Sequence, residues 1–447
     1  MKVLHVNQQS GSGGASGICL ALHKALIASG YDSRMLVGRQ KNEQPGIGLI
    51  DNDGYRSRWG EFWMGVAKQI NGYSGRVRGA QRLSDRWIPY LASPRKFWSW
   101  WAGQEDYDFP GTRHLLAQSP LRPDILHLHN LHGDYFDLRE LPQLSKLLPT
   151  VVTLHDAWLL AGHCVHFLDC QQWLTGCRSC PYLTLNRSIR RDGAAYNWSL
   201  KQRIYQHSKL HVVCPSRWLS DKVSSSILNS GVLSAHVIPN GIDTNIFKKE
   251  SKVFAKEALG LPKDSLMVLF FAETYDNSTV WPFIRDSVTL RDAVESVAKL
   301  SLSKKVIFCS VGIGNRVRKE GNSSIMSLPN QETPAAMAKV YQAADVYLHS
   351  MCADNYPTCI LESLACGTPV VASAVGGIPE QIQHGITGFL ISARDVNAFT
   401  VHILELLNQD DLRIAMGQAS AFDAEKRFGL ENMVSRYRSL YEQVGKE

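Results

Sequence analysis

The chain has 447 residues, of which 44% are hydrophobic and 20% charged, and its formal net charge is +7. That length exceeds one ordinary core and points to two domains of a soluble globular protein, while no apolar run reaches the roughly 18–20 residues of a membrane-spanning helix. No nucleic-acid module is readable, and the aromatic residues do not fall in an RNA-recognition pattern, so nucleic acid is not an expected partner.

In chain order, a strand is expected at residues 3–7, too early to leave room for a signal peptide, which implies a cytoplasmic protein with reduced or metal-bound cysteines. A loop rich in glycine follows, with Gly11, Gly13, Gly14 and Gly17, then helical apolar spacing over 18–29 closed by Gly30, then a strand at 33–37. Strand, glycine turn, helix, strand opens a Rossmann-like half. The loop fits G-x-G-x-x-G poorly and no clear acid closes the second strand, which disfavours a hydride-transfer dinucleotide site. Residues 40–115 read as an insertion. Between Arg56 and Lys96 nine Lys/Arg face only Glu61 and Asp85, a surplus equal to that of the whole chain, and six of the eleven tryptophans (Trp59, Trp63, Trp87, Trp98, Trp100, Trp101) lie in 55–101. This composition suits peripheral contact with an anionic membrane at its inner face; an insertion that packs its aromatics on the first domain and solvates its arginines is the other reading.

Strands at 124–129 and 150–155 each end in polar residues: His127, His129 and His132 at the first, His155 and Asp156 at the second. A further strand is expected at 210–214. Pro239, Asn240 and Gly241 mark a connection between domains. The division expected is therefore 1–238, 239–425, and a C-terminal helix within 426–447 that crosses back to the first domain. The second domain repeats the alternation, with strands at 266–271, 306–311, 345–349 and 369–373 and helices at 396–408, 411–424 and 430–443. No repeat of 20–50 residues is present.

Four of the ten cysteines crowd into 164–180 as Cys164-x5-Cys170-x6-Cys177-x2-Cys180. A C-x2-C pair is half of many zinc sites, and four thiolates so spaced can close a tetrahedron around a structural Zn²⁺, with His163 or His166 able to replace one. Free buried thiols, or disulfides in an oxidising compartment, are the alternatives.

The densest signal lies at 354–372. Asp354 and Glu362 stand eight apart across a turn, Asn355-Tyr356-Pro357-Thr358-Cys359-Ile360, that opens a helix, and Ala365-Cys366-Gly367-Thr368-Pro369-Val370-Val371 adds a tight loop and a buried strand. A helix start offers N–H groups to an anion, and acids on either side accept hydrogen bonds from hydroxyls, so the block suits a diphosphate flanked by sugars.

This block resembles the E-x7-E signature of retaining glycosyltransferases with the GT-B fold, above all glycosyltransferase family 4, with Asp354 one methylene shorter than the usual Glu. The resemblance implies two Rossmann-like α/β domains facing a cleft and the retaining transfer of a sugar, of hexosyl type, from a nucleotide-diphosphate-sugar to a glycan or lipid-linked saccharide in bacterial exopolysaccharide synthesis. It implies no metal in the chemistry. It places Asp354 and His155 by the donor sugar, Glu362 on the ribose, and the amides of 358–360 with the Thr358 hydroxyl on the diphosphate. Asn355, Tyr356 and Pro357 shape that turn, and Gly13 and Gly14 form the glycine loop.

One departure stands out. The family carries an Arg and a Lys after the first strand of the second domain, and residues 266–284 hold neither. Arg217, and Arg316 with Arg318 beyond Gly312, are the candidate replacements. A non-catalytic GT-B subunit is the rival reading. Nucleotide-sugar epimerisation or α-glucan phosphorolysis is disfavoured by the 354–372 block and by the lack of a recognisable phosphorylase cofactor lysine.

Overall fold

The computed structural model describes residues 1–11, 14–40, 43–183, 191–271, 284–300, 302–312 and 317–446. They form two compact units, one of Met1–Cys214, Ser220–Val237 and Tyr437–Glu447, the other of Pro215–Leu219 and Ile238–Arg436.

The first unit is built on β1 (Lys2–Gln9), β2 (Asp32–Arg39), β3 (Ile47–Leu49), β4 (Ile125–His129), β5 (Thr150–Thr153), β6 (Leu210–Cys214) and β7 (Val232–Val237). Their order across the sheet is β3-β2-β1-β4-β5-β6-β7, all parallel. Every residue of β4, β5 and β6 is buried, as expected of parallel strands covered on both faces. The strand order reverses between β1 and β4, and in open α/β sheets ligands bind beyond the carboxyl ends of the strands at such a point. The helix Gly14–Ala28 follows β1 there.

The insertion contributes edge strand β3, which the sequence reading missed because three residues are too few to display an alternation. It then forms a run of helices, the longest being Arg58–Asn71 and Pro94–Ala102. The first is capped by Ser57, whose hydroxyl accepts the Gly60 N–H, and Trp59 Nε1 donates to the Leu91 carbonyl at 2.8 Å, tying the run together.

The second unit contains β8 (Leu266–Phe271), β9 (Val306–Gly312), β10 (Val317–Glu320), β11 (Ser323–Pro329), β12 (Val346–His349), β13 (Val370–Ser373) and β14 (Gly388–Ile391). The order is β10-β11-β9-β8-β12-β13-β14, parallel except where β10 runs antiparallel to β11. The switch point falls between β8 and β12. Strands β10, β11 and β14 were not anticipated: β11 is interrupted by three serines, and β14 opens on a glycine, Gly388.

The final helix, Leu430–Val444, returns to the first unit from Tyr437 onward. Its inward face is aromatic. Tyr437 and Tyr441 are buried, with their hydroxyls 2.9 Å from Thr153 Oγ1 and 2.6 Å from His127 Nδ1. Removing the Tyr441 hydroxyl strands the buried His127 Nδ1, which costs about 1–3 kcal/mol. Tyr441→Phe is therefore expected to lower unfolding stability by about that amount in urea denaturation; an unchanged midpoint would show that the helix docks by apolar contact alone.

Candidate functional site

Beyond the carboxyl end of β12 the chain turns through residues 350–357 and enters the helix Thr358–Ala365. Pro357 precedes the helix in extended geometry, φ −65° and ψ 128°, and offers no side-chain cap. The first-turn N–H groups thus keep the partial positive charge of a helix start. Ile360, Leu361, Leu364 and Ala365 sink into the core beneath, while Pro357, Thr358, Cys359 and Glu362 stay half-buried.

The turn itself is clamped. Asn355 Oδ1 accepts from the Ser216 hydroxyl at 3.2 Å and its carbonyl from the Gly377 N–H at 2.8 Å; Asn240 Nδ2 holds the Tyr356 carbonyl at 3.1 Å, and Gln381 Nε2 the Pro357 carbonyl at 2.9 Å. Asn355, Tyr356 and Ile360 are buried, so their side chains hold the turn and only their backbone remains for a ligand. Gly376 lies against this clamp at φ +57°, where a Cβ would stand 1.7 Å from the Asp354 carbonyl. Gly376→Ala therefore has to push the turn aside.

The two acids sit in opposite environments. Asp354 Oδ1 accepts its neighbour's N–H at 2.8 Å and Oδ2 faces His349 Nε2 at 3.2 Å; the other ring nitrogen of His349 is 3.0 Å from the Tyr347 hydroxyl and 3.7 Å from Cys359 Sγ. Burial opposes charge on His349, but the Cys359 sulfur and the Asp354 carboxylate outweigh it and raise the imidazole to about 10. Glu362 accepts from the Tyr341 hydroxyl at 3.1 Å and from Thr358, yet burial dominates and lifts it from 4.5 to about 7. His349, Tyr341 and Tyr347 escaped the sequence reading. The signal for His349 was available, since it ends a strand as His155 does.

In the first unit, His155 Nε2 lies 3.1 Å from His129 Nδ1, and His129 Nε2 lies 3.4 Å from His5 Nδ1, a line of imidazoles across β5, β4 and β1. Burial holds all three below the usual histidine range, His155 at about 4, so His155 is neutral at pH 7. Asp156 pairs with His132 Nε2 at 2.7 Å and accepts the Trp158 N–H. Its desolvation is outweighed chiefly by His132, and the carboxyl falls to about 2. His127 and His129 are wholly buried, which makes them supports of the layer and not lining.

Gly14 starts its helix at φ +50°, and Gly13 lies outside the described residues. Arg217 is exposed; its amide and that of Trp218 each donate to the Glu380 carboxylate at 2.8 Å. Gly312 ends β9 at φ +136°. Arg318 lies 3.6 Å from Glu295, and Arg316, like 272–283, lies outside the described residues. The structure adds two cations that the sequence reading passed over. Arg285 pairs by backbone with Met351 at the turn, and Arg394 hydrogen-bonds Cys352. Cys164, Cys170, Cys177 and Cys180 come together around one cavity.

Two Rossmann-like α/β units with an anion-ready helix start at the second switch point define the GT-B class. The Glycosyltransferase Family 4 model matches residues 12–246, and the Glycosyl transferases group 1 model matches 286–409. The chain belongs to glycosyltransferase family 4. It is 23% identical to WcaC of Escherichia coli K12, named as a colanic acid biosynthesis glycosyl transferase, over 99% of this chain and 100% of that protein. It is 29% identical to a D-inositol 3-phosphate glycosyltransferase of Thermobispora bispora over 46% of this chain and 49% of the relative, so the match spans about half the length of that relative. Among solved structures, sucrose-phosphate synthase from Thermosynechococcus elongatus superposes with TM-score 0.63 at 15% identity, covering 99% of each chain. Anabaena HepE with UDP-glucose superposes at 0.58 and 14%, covering 99% of this chain and 100% of its own.

Because Glu362 has a higher pKa folded than unfolded, the native state holds its proton more tightly. Stability from this group is complete below the unfolded value of about 4.5 and is lost as pH rises through about 7. Glu362→Gln is expected to leave Tm nearly unchanged near pH 3.5 and to raise it near pH 8.5 by about 4 °C or more, given roughly 2–4 °C per kcal/mol for a domain of this size. Equal Tm shifts at both pH values in scanning calorimetry would contradict the buried carboxyl.

Proposed function

We propose that the chain is a retaining glycosyltransferase that binds a nucleotide-diphosphate-sugar on its second unit and transfers the sugar to a saccharide or lipid-linked saccharide acceptor in polysaccharide synthesis. One observation carries the reading: Asp354 and Glu362 flank a clamped turn whose helix start carries no side-chain cap. HepE was solved with UDP-glucose and WcaC is named for colanic acid biosynthesis, which supports the donor class and the acceptor class.

On this reading the diphosphate lies on the amides of 358–360, where the helix dipole offsets the negative charge that grows on the leaving group. Glu362 takes the ribose hydroxyls. Asp354, whose Oδ2 lies 3.2 Å from His349 Nε2, faces the positive charge that develops on the sugar. A set of nucleotide-sugars screened by thermal shift, followed by transfer assays, is expected to single out one donor. Glu362→Ala is expected to weaken donor affinity about tenfold or more, and Asp354→Ala to cut kcat by about 10²–10³, the cost of losing one charge-stabilising group. Gly376→Ala is expected to lose donor binding as well.

The second reading, a binding subunit without transferase activity, is favoured by the absence of Lys and Arg from 266–284. Neither transfer nor hydrolysis of any donor by the folded protein would select it.

The insertion presents Trp59, Phe62, Trp87 and Trp98 to solvent beside its basic residues. No helix among the described residues is long and apolar enough to cross a membrane. We assign this face to an anionic bilayer at the inner side of the membrane. The protein is expected to cosediment with phosphatidylglycerol vesicles and not with phosphatidylcholine vesicles. Phe62→Ser with Trp98→Ser is expected to reduce binding at least fivefold. Equal binding to both vesicle types would remove the electrostatic part of this assignment.

A further inference from the structure

Among its described residues, the loop between β5 and the helix Ala194–Tyr205 has little regular structure, with two short 3-10 turns at Trp158–Leu160 and Gln172–Leu174. It nonetheless buries Cys164, Cys177 and His163. All four loop cysteines line one cavity of about 10 Å³, room for a single water-sized sphere, with Phe167 and Trp173 stacked at its wall. The Cys164 and Cys180 sulfurs and a His163 ring nitrogen lie within 4.8 Å of one another. All four cysteines are free thiols.

The backbone around the cavity is arranged for sulfur that carries charge. The Gln172 N–H points at Cys170 Sγ at 3.4 Å, the Gly162 amide bonds the Cys177 sulfur, and the Tyr182 amide bonds the Cys180 sulfur. Cys177 adopts φ +51°, uncommon for a residue with a side chain, directly after Gly176 at φ +118°. Neutral thiols are weak acceptors and leave these N–H groups poorly matched. Metal-bound thiolates accept them well, and the outer hydrogen bonds then tune the site. Both ring nitrogens of the buried His163 lack a conventional hydrogen-bond partner, and a thiolate at Cys180 gives one of them an acceptor.

We propose that Cys164, Cys170, Cys177 and Cys180 hold one Zn²⁺ in a closed tetrahedral site. With four protein ligands the ion has no open position, so its task is structural. The loop it closes is bonded to the turn that carries His155 and Asp156: the Ala157 N–H donates to the Val165 carbonyl at 2.9 Å, and Lys201 Nζ donates to the Trp158 and Ala161 carbonyls at 2.8 and 3.0 Å. The metal thus holds that strand end in place.

The test uses the full chain purified under reducing conditions. Elemental analysis is expected to find one zinc per chain, and exchange with Co²⁺ to give the intense sulfur-to-metal absorption of a tetrahedral four-thiolate site. Cys177→Ser with Cys180→Ser is expected to abolish metal binding, while His163→Ala keeps it. Should the double variant fail to fold, the cobalt spectrum of the unaltered chain still decides. Zinc-free protein with native circular dichroism and all four thiols open to titration would overturn the proposal, as would a cobalt spectrum without thiolate bands. Release of zinc by a chelator is further expected to open residues 161–183 to proteolysis while the rest of the chain stays resistant.

Discussion

The turn at 354–357 is the constraint on which the rest depends. Four hydrogen bonds and one glycine fix its backbone, and Pro357 then delivers the chain into a helix without a side-chain cap. Such a polar end at the switch point of a parallel sheet is suited to receive an anion, which is the basis of the proposed donor site. The surrounding core makes this possible. Ile360, Leu361 and Leu364 anchor the helix from below, so its first turn can face outward without fraying.

The same unit sets two carboxyls apart by environment. Asp354 gains a cation in His349, which is held charged in turn by sulfur and carboxylate neighbours. Glu362 has only the hydroxyls of Tyr341 and Thr358 and sits half-protonated near neutrality. A carboxyl that gives up its charge easily suits hydrogen bonding to sugar hydroxyls. The shortened first acid, Asp354 in place of Glu, comes with a buried imidazole against it, which fixes its orientation.

The sequence was most readable where chemistry and periodicity coincide. Nine of the strands, the glycine-punctuated start of the first unit and the 354–372 block follow from apolar runs and turn residues. What stayed hidden depends on contacts remote in the chain. Ser216 and Asn240 hold the turn from more than a hundred residues away, and Tyr441 reaches His127 across three hundred. Strand β11 carries three serines and β3 only three residues, so neither displays a period. The histidines at strand ends were visible as a group. Which of them lines a surface was not, because that depends on the register of β1, β4 and β5, which buries His127 and His129 and leaves His155 at the edge.

The most direct measurement is amide hydrogen exchange of the whole chain with and without a panel of nucleoside diphosphates. The account predicts that a diphosphate which binds slows exchange at residues 358–360 and at the adjoining turn. A diphosphate that binds tightly while those amides exchange unchanged would contradict it.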